Sequence, residues 1–335
     1  MIRIFYLVVL AIVIMGCADK PIKIKGANLE MPRNKIESHE MMALKEMNVG
    51  WVAMIPYAFS RPGETFVRVA GDGNWWGESP KGISECIRMA HEGGMKVMLK
   101  PHVWVGGGQG WLGDFDFEED ADWEAWEEEF SKYILSYAKL GDSLNVEMLC
   151  IGTEVRKSAA KRPQFWRQLI KDVREVYKGE LTYAANWDNY MNVTFWDELD
   201  YIGIDAYFPF CDQPIPDKSV LQKGWAELAP ELRKLSEENS APILLTEFGY
   251  KSVEYTNMGH WKYKEDTLKT SNLAQKAGYE GLFENIWQED FVAGGFFWKY
   301  HFEHMRRGGD EYLSRRYTPQ GKDAELVIRE WYGKD

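Results

Sequence analysis

Two periods of apolar residues run along this chain. Short runs with strand character occur at Ile22–Asn28, Val49–Tyr57, Lys96–Val103, Val146–Thr153, Leu181–Trp187, Tyr201–Tyr207, Ile243–Phe248 and Ala293–Lys299, and predict eight strands. Between several of them the spacing changes to that of a helix with one buried face. The stripes are Ile83, Ile87, Met89 and Ala90; then Trp123, Trp126, Phe130, Tyr133, Ile134 and Tyr137; then Phe165, Trp166, Leu169, Val173 and Val176; then Leu221, Trp225, Leu228, Leu232 and Leu235. A last helix is expected over about Ala324–Trp331. Strands that alternate with helices and count to eight predict an α/β fold, a single (β/α)8 TIM barrel rather than an open sheet.

The first residues follow a different pattern. Met1 to Met15 holds one basic residue and an apolar run too short to span a membrane, followed by Gly16-Cys17. This predicts an export signal over residues 1–16. The sequence Ile14-Met15-Gly16-Cys17 resembles the bacterial lipobox, which implies lipidation of Cys17 and a mature domain of residues 17–335 anchored in the bacterial cell envelope, on the periplasmic side or the outer surface. No Ser/Gly/Pro linker or low-complexity tract divides that domain. Cys86, Cys150 and Cys211 form an odd remainder, which excludes a disulfide scaffold, and Cys150 reads as a small core residue of its strand.

The formal charge of −12 disfavours nucleic acid and anionic polymers, and no Lys/Arg stripe offsets it. A neutral or cationic partner is expected. The chain has 15 Trp, 17 Tyr and 16 Phe, and several of them stand in loops beside Gly or Asp. Rings next to carboxylates and amides suit sugars, since a pyranose offers an apolar C–H face and a hydroxyl edge.

Catalytic residues of such a barrel sit at the C-terminal ends of its strands. The candidates there are Asn28 and Glu30, Tyr57, His102 and Trp104, Glu154, Asn186 and Trp187, Asp205 and Tyr207, Glu247 and Tyr250, and Trp298 and His301. Among them Glu154 and Glu247 each end an apolar run, where burial and neighbours can set a carboxyl pKa. Two carboxylates so placed point to glycoside hydrolysis. The bland alternative makes each glutamate an ion-pair partner, with Arg156 and Lys157 nearest in sequence to Glu154. His102, Trp104, Asn186, Trp187, Asp205, Tyr207, Tyr250 and Trp298 are the expected substrate-binding set. Trp75, Trp76 and Trp111 are further candidate platforms, whereas Trp123, Trp126 and Trp225 lie on helical apolar faces and read as core.

Other motifs fail on chemistry. Gly108-Gln-Gly110-Trp-Leu-Gly113 has dinucleotide-fingerprint spacing, but Trp111 and the acidic run Asp114, Asp116, Glu118, Glu119, Asp120 and Asp122 stand where a pyrophosphate needs small residues and positive potential. The glycines are better read as an aromatic-tipped loop over a groove. The same acidic run lacks the glycine and terminal glutamate of a calcium loop. His301 and His304, and His91-Glu92, complete no metal set, so neither metal nor organic cofactor is expected.

Gly-Thr-Glu154, Thr-Glu247-Phe-Gly-Tyr, Met47-Asn-Val-Gly-Trp-Val-Ala-Met-Ile-Pro-Tyr57 and Lys96-Val-Met-Leu-Lys-Pro-His-Val-Trp104 together resemble glycoside hydrolase family 113, β-mannanases of the retaining barrel superfamily, from about Ile24 to the C-terminus. The resemblance implies Glu154 as acid/base and Glu247 as nucleophile in a double displacement, with carboxyls about 5–5.5 Å apart. Thr153 stands where much of the superfamily has an Asn that holds the sugar 2-hydroxyl, a departure that family 113 shares. The expectation is a monomeric enzyme acting on neutral β-1,4-mannan or manno-oligosaccharides. A glucan or galactan substrate, or a non-catalytic glycan-binding surface lipoprotein, is the alternative.

Overall fold

All eight predicted strands form, and they close into one parallel barrel: β1 (Ile24–Glu30), β2 (Trp51–Met54), β3 (Lys96–Leu99), β4 (Met148–Thr153), β5 (Glu180–Asn186), β6 (Tyr201–Asp205), β7 (Ile243–Phe248) and β8 (Val292–His301). The computed structural model describes residues 22–69, 75–106, 110–259, 262, 267–302 and 313–334, so Cys17 and the expected signal lie outside the described residues. Closure is made by β8 on β1, from Ile24 beside Gly294 to Glu30 beside His301. Gly26 permits that join, because a Cβ there would lie 2.2 Å from the Phe296 ring.

Ile24, Ala53, Met98, Met148, Cys150, Ala184, Leu244 and Phe296 form a small buried cluster drawn from seven of the strands. It plugs the barrel interior, as a (β/α)8 core requires. Cys150 belongs to this plug, and Cys86, Cys150 and Cys211 are all free thiols. The larger cluster lies between strands and helices. The helix Asp120–Ser143 buries its Trp123, Trp126, Phe130, Tyr133, Ile134 and Tyr137 stripe there, and Pro163–Val176 buries Trp166, Leu169, Ile170 and Val173.

Three departures from the sequence pattern have physical causes. The runs Val49–Tyr57 and Lys96–Val103 are each two strands, broken at Pro56 and Pro101, which have no N–H for a ladder. Past the prolines the same two segments pair again in parallel, Tyr57–Ser60 beside His102–Val105, with Arg68–Val69 antiparallel on the outer edge. This ribbon raises Tyr57, His102 and Trp104 above the barrel rim. Between β5 and β6 the chain makes only short 3-10 turns at Tyr190–Asn192 and Trp196–Glu198. Between β7 and β8 stands a helix, Asn272–Phe283, whose buried face mixes Tyr279, Leu282 and Phe283 with glycines that interrupt its apolar stripe: Gly278 packs against the Tyr250 ring and Gly281 against Leu221.

Candidate active site

Glu154 directly follows β4 with a left-handed backbone, φ 55°, and its amide donates to the Ala184 carbonyl at 2.8 Å. A non-glycine residue held there is strained, and such strain gathers at functional sites. The turn aims the carboxyl into a cleft, where Oε2 accepts a hydrogen bond from the Trp111 indole at 2.8 Å. Burial, reinforced by the nearby Asp205 and Glu247 carboxylates, pushes the Glu154 carboxyl up to about 8, with the indole and Lys100 pulling weakly the other way. Arg156 and Lys157 are not its partners. Arg156 pairs with Asp114 at 2.5 Å and Asp188 at 3.4 Å and lies over the Trp111 ring, and Lys157 pairs with Asp116 at 3.4 Å.

The acidic run thereby acquires a role. Asp114, Asp116 and Asp120 pair with Arg156, with Lys157 and Lys161, and with Arg162, tying the Trp111 loop to the segment after Glu154. No grouping of three or more His, Cys, Asp or Glu suited to a metal occurs among the described residues.

Glu247, next to last in β7, has opposite surroundings. Its Oε1 accepts from the Lys100 ammonium at 2.5 Å and its Oε2 from the Tyr207 hydroxyl at 2.7 Å. Lys100 follows β3 and is wholly buried. Burial alone would pull its ammonium down, but Asp205 and Glu247 outweigh that and hold it above the ordinary lysine value. Asp205, also wholly buried, accepts from the Thr246 hydroxyl at 2.7 Å and from Lys100 at 3.4 Å. Burial and the neighbouring Glu247 push the Asp205 carboxyl up to about 7 in spite of Lys100. One ammonium thus touches two carboxyls, Glu247 at 2.5 Å and Asp205 at 3.4 Å, and its charge only partly offsets the burial that raises Asp205 and Glu154.

His102 Nε2 lies 3.9 Å from Glu247 Oε1, and its ring stacks on Trp298 with centroids 6.1 Å apart. Burial, with the Lys100 and Lys299 charges, pushes its imidazole well below the usual range, so it is neutral. The cleft, about 240 Å³, is lined by Tyr57, His102, Trp104, Trp111, Thr153, Glu154, Glu247 and Trp298 among others. Trp104 stands 58% exposed at its edge, free to offer a ring face.

Of the expected substrate-binding residues, His102, Trp104 and Trp298 line this cleft and Tyr207 touches Glu247. Four others are placed elsewhere. Asp205 lies beneath Glu247 with no exposed surface, which makes it a support rather than a sugar contact. Asn186 turns to Asp188, donating at 3.0 Å. Trp187 packs edge-on against Phe208. Tyr250, beyond the end of β7, is buried on Gly278 and Tyr279. Lys100 was not among the candidates, although a lysine directly after Val97-Met98-Leu99 at a strand end is a signal. Trp111, expected as a sugar platform, is instead a hydrogen-bond donor to Glu154.

A second cavity of about 390 Å³ adjoins the first and shares Trp298 with it. Arg33, Lys251, Lys299 and Arg316 line it. The absence of a basic stripe in the sequence therefore does not carry over to space, where four segments bring cations together.

The model of Glycoside Hydrolase Family 113 matches residues 31–322. Among solved structures, a GH113 β-mannanase from Alicyclobacillus acidocaldarius superposes with a TM-score of 0.79 at 25% identity, covering 92% of this chain and 97% of that one. A GH113 β-1,4-mannanase superposes at 0.80 with 24% identity, over 93% and 99% of the two chains. A fungal β-1,4-galactanase shares the fold more distantly, at a TM-score of 0.51 and 15% identity, over 87% and 90%. No curated protein sequence matches the chain. The family match spans most of the chain and contains both glutamates with every group that touches them: the chain belongs to Glycoside Hydrolase Family 113.

Proposed function

We propose that the protein hydrolyses β-1,4-mannosidic bonds in mannan or manno-oligosaccharides with retention of configuration, Glu154 serving as acid/base and Glu247 as nucleophile. The observation that carries the roles is the contrast between the two carboxyls. Glu154, raised to about 8, keeps its proton at neutral pH and can give it to the leaving oxygen. Glu247 has a donor on each of its two oxygens, Lys100 and Tyr207, which aim it and suit it to attack the anomeric carbon. Attack by Glu247 forms a glycosyl ester while the bond to the leaving sugar breaks. Glu154, now ionised, takes a proton from water, which attacks the same carbon and frees Glu247. His102, Trp104 and Trp298 supply the walls for the sugar, and the family's β-mannanases supply the substrate class.

Internal cutting fits a cleft with an exposed ring at its edge. The deciding experiment is a product time course on β-1,4-mannan and mannohexaose, with β-1,4-glucan alongside, for the native protein and for Glu247→Ala. Mannan products that vanish in the variant support the reading, and early mixed-size products mark endo action. Release from glucan alone would move the substrate, and no release from any polymer would favour a glycan-binding protein.

The apolar run ending in Gly16-Cys17 supports a lipid anchor in a bacterial envelope, with the barrel acting as a monomer. Radiolabelled palmitate incorporated by the native chain and not by Cys17→Ser is the expected result, and labelling of both would remove Cys17 as the anchor.

A further inference from the structure

Lys322 is a charged residue that the catalytic groups do not use, and its surroundings are unusual for a lysine. It precedes the helix Asp323–Tyr332, and its ammonium donates to the Ser252 hydroxyl at 2.7 Å and to three carbonyls of one short segment after β8: Thr318 at 2.8 Å, Leu313 at 2.9 Å and Arg316 at 3.1 Å. No carboxylate pairs with it among the described residues, and burial pulls the ammonium down to about 7. A lysine is seldom withdrawn from water without an anion beside it, so what this one contributes must come from the oxygens it collects. Carbonyl oxygens aimed at one point repel one another, and a cation with several donors at that point removes the repulsion. Neutral groups tie the same segment to the chain after β7. The Ser252 amide donates to the Arg316 carbonyl at 3.3 Å, and the Gln275 side chain donates to the carbonyls of Tyr250 at 2.9 Å, Tyr317 at 3.0 Å and Thr318 at 3.3 Å. Residues 313–318 are thus a strap, and Lys322 is its latch.

The strap carries one side chain back to the catalytic site. Tyr317 stands between the held carbonyls of Arg316 and Thr318, and its ring packs against the Tyr207 ring with centroids 5.8 Å apart. It also abuts Gly249, where a Cβ would lie 3.4 Å from it. Tyr207 is the phenol that donates to Glu247 Oε2 at 2.7 Å. We propose that Lys322 is a positioning residue of the glycosidase: by latching the strap it seats Tyr317 against Tyr207 and keeps the Tyr207 hydroxyl on the nucleophile. The inference rests on the glycosidase reading above and adds to it a residue that bonds to neither glutamate. A phenol buttressed by a second ring is fixed only as well as that ring is, and the ammonium fixes the backbone on both sides of Tyr317 at once. Such precision matters, because small displacements of a catalytic contact by changes far from the chemistry slow reactions steeply.

The test compares the full-length native protein with Lys322→Met, Tyr207→Phe and the two together. Hydrolysis of mannohexaose gives kcat and KM. Labelling by 2-deoxy-2-fluoro-β-mannobiosyl fluoride reads the nucleophile alone: Glu247 attacks the anomeric carbon, the bond to fluorine breaks, fluoride leaves, and the sugar remains as an ester seen by mass. Lys322→Met is expected to lower kcat and the labelling rate about tenfold with KM little changed. Where Tyr207→Phe has already removed the hydroxyl, adding Lys322→Met should cost less than about twofold more, since the two act through one contact. Tyr317→Leu removes the ring and leaves the latch in place, so it answers even if Lys322→Met does not fold, and it should show the same losses. Native rates in Tyr317→Leu overturn the proposal. So does a loss carried by KM, which would make the strap only a cavity wall, and so does a full tenfold loss added on top of Tyr207→Phe. A native protein that neither cleaves mannohexaose nor takes the label overturns the glycosidase reading and this inference with it, whereas a native protein labelled no faster than the variants overturns this inference alone.

Discussion

Glu154 and Glu247 are the same residue type at corresponding places on two strands of one barrel, and the molecule makes them chemically unlike. Around Glu247 it gathers donors, an ammonium and a phenol, each on its own oxygen. Around Glu154 it supplies one indole, apolar walls and two other carboxyls. The difference originates in what precedes and follows the strands. Lys100 is delivered to Glu247 by β3, and Tyr207 by the segment after β6. Trp111 reaches Glu154 from a loop held down by ion pairs to the helix Arg156–Lys161. Role assignment in such a pair is therefore a property of neighbouring elements rather than of the strand that carries the glutamate.

The sharpest way to break this comparison is to delete each carboxylate and let azide fill the gap. Glu247→Ala should lose at least about 10⁴-fold in kcat on mannohexaose. With an activated mannoside, azide in that void attacks from the side Glu247 occupied and should yield the α-mannosyl azide. Azide in the Glu154→Ala void meets the covalent intermediate from the opposite side and should yield the β product. Nuclear magnetic resonance of the products decides, and exchanged anomers would reverse the two roles.

Next in size is Lys100→Met. Without the ammonium, Glu247 and Asp205 are neighbouring carboxyls with no positive charge between them, and Asp205 keeps its proton to higher pH because the Lys100 charge no longer opposes burial and repulsion, leaving only the Thr246 hydrogen bond against them. A loss of about 10²–10³-fold in kcat is expected, comparable with removing one preorganised electrostatic contact in other active sites. KM should change much less. A variant with normal kcat would show that Tyr207 alone suffices.

The part of this device that the sequence revealed is uneven, for physical reasons. Strand ends are legible because burial on both faces leaves unbroken apolar runs, and polar residues that stop them stand out, as Glu154 and Glu247 do. Lys100 is harder to see, since a lysine in a sequence reads as solvent-facing, and only its position after Leu99 hints at burial. Pro56 and Pro101 were visible, but their consequence, the ribbon carrying Tyr57, His102 and Trp104, depends on two distant segments breaking in register. The helix Asn272–Phe283 buries Tyr279, Leu282 and Phe283, but Ala274, Gln275, Gly278 and Gly281 fill the rest of its packed face, so its stripe is faint. Tyr250 and Trp187 illustrate the opposite error. Both stand near strand ends, yet Tyr250 is buried on Gly278 and Trp187 packs against Phe208.

A smaller effect sharpens the Glu154 side. The acid must be protonated at the start of each turnover, so kcat/KM should fall as pH rises through about 8. The Trp111 indole donates to the carboxylate and lowers that value, so Trp111→Phe should move the alkaline limb to higher pH while costing roughly five- to tenfold in rate from the lost bond. A limb that moves to lower pH, or does not move, would mean that the indole is not what tempers the acid.

The smallest predicted effect concerns stability, and it separates the two glutamates without any substrate. Glu154 has its folded value raised from the ordinary 4.5 to about 8, so over that range the folded chain holds a proton the unfolded chain has released. Stability must then decline as pH rises from about 4.5 through about 8. Glu154→Gln is neutral at every pH and escapes this decline. Its melting temperature relative to the native protein should climb between pH 5 and pH 8.5, with a net change of order 2 °C for each kcal/mol regained in a chain this long. Glu247→Gln should instead lower the melting temperature, because it strips the Lys100 ammonium of its ion-pair partner at 2.5 Å and leaves a buried charge short of compensation. Thermal melts of both variants across this range give opposite signs if the two environments differ as described. Parallel curves would mean that the molecule treats the two carboxyls alike.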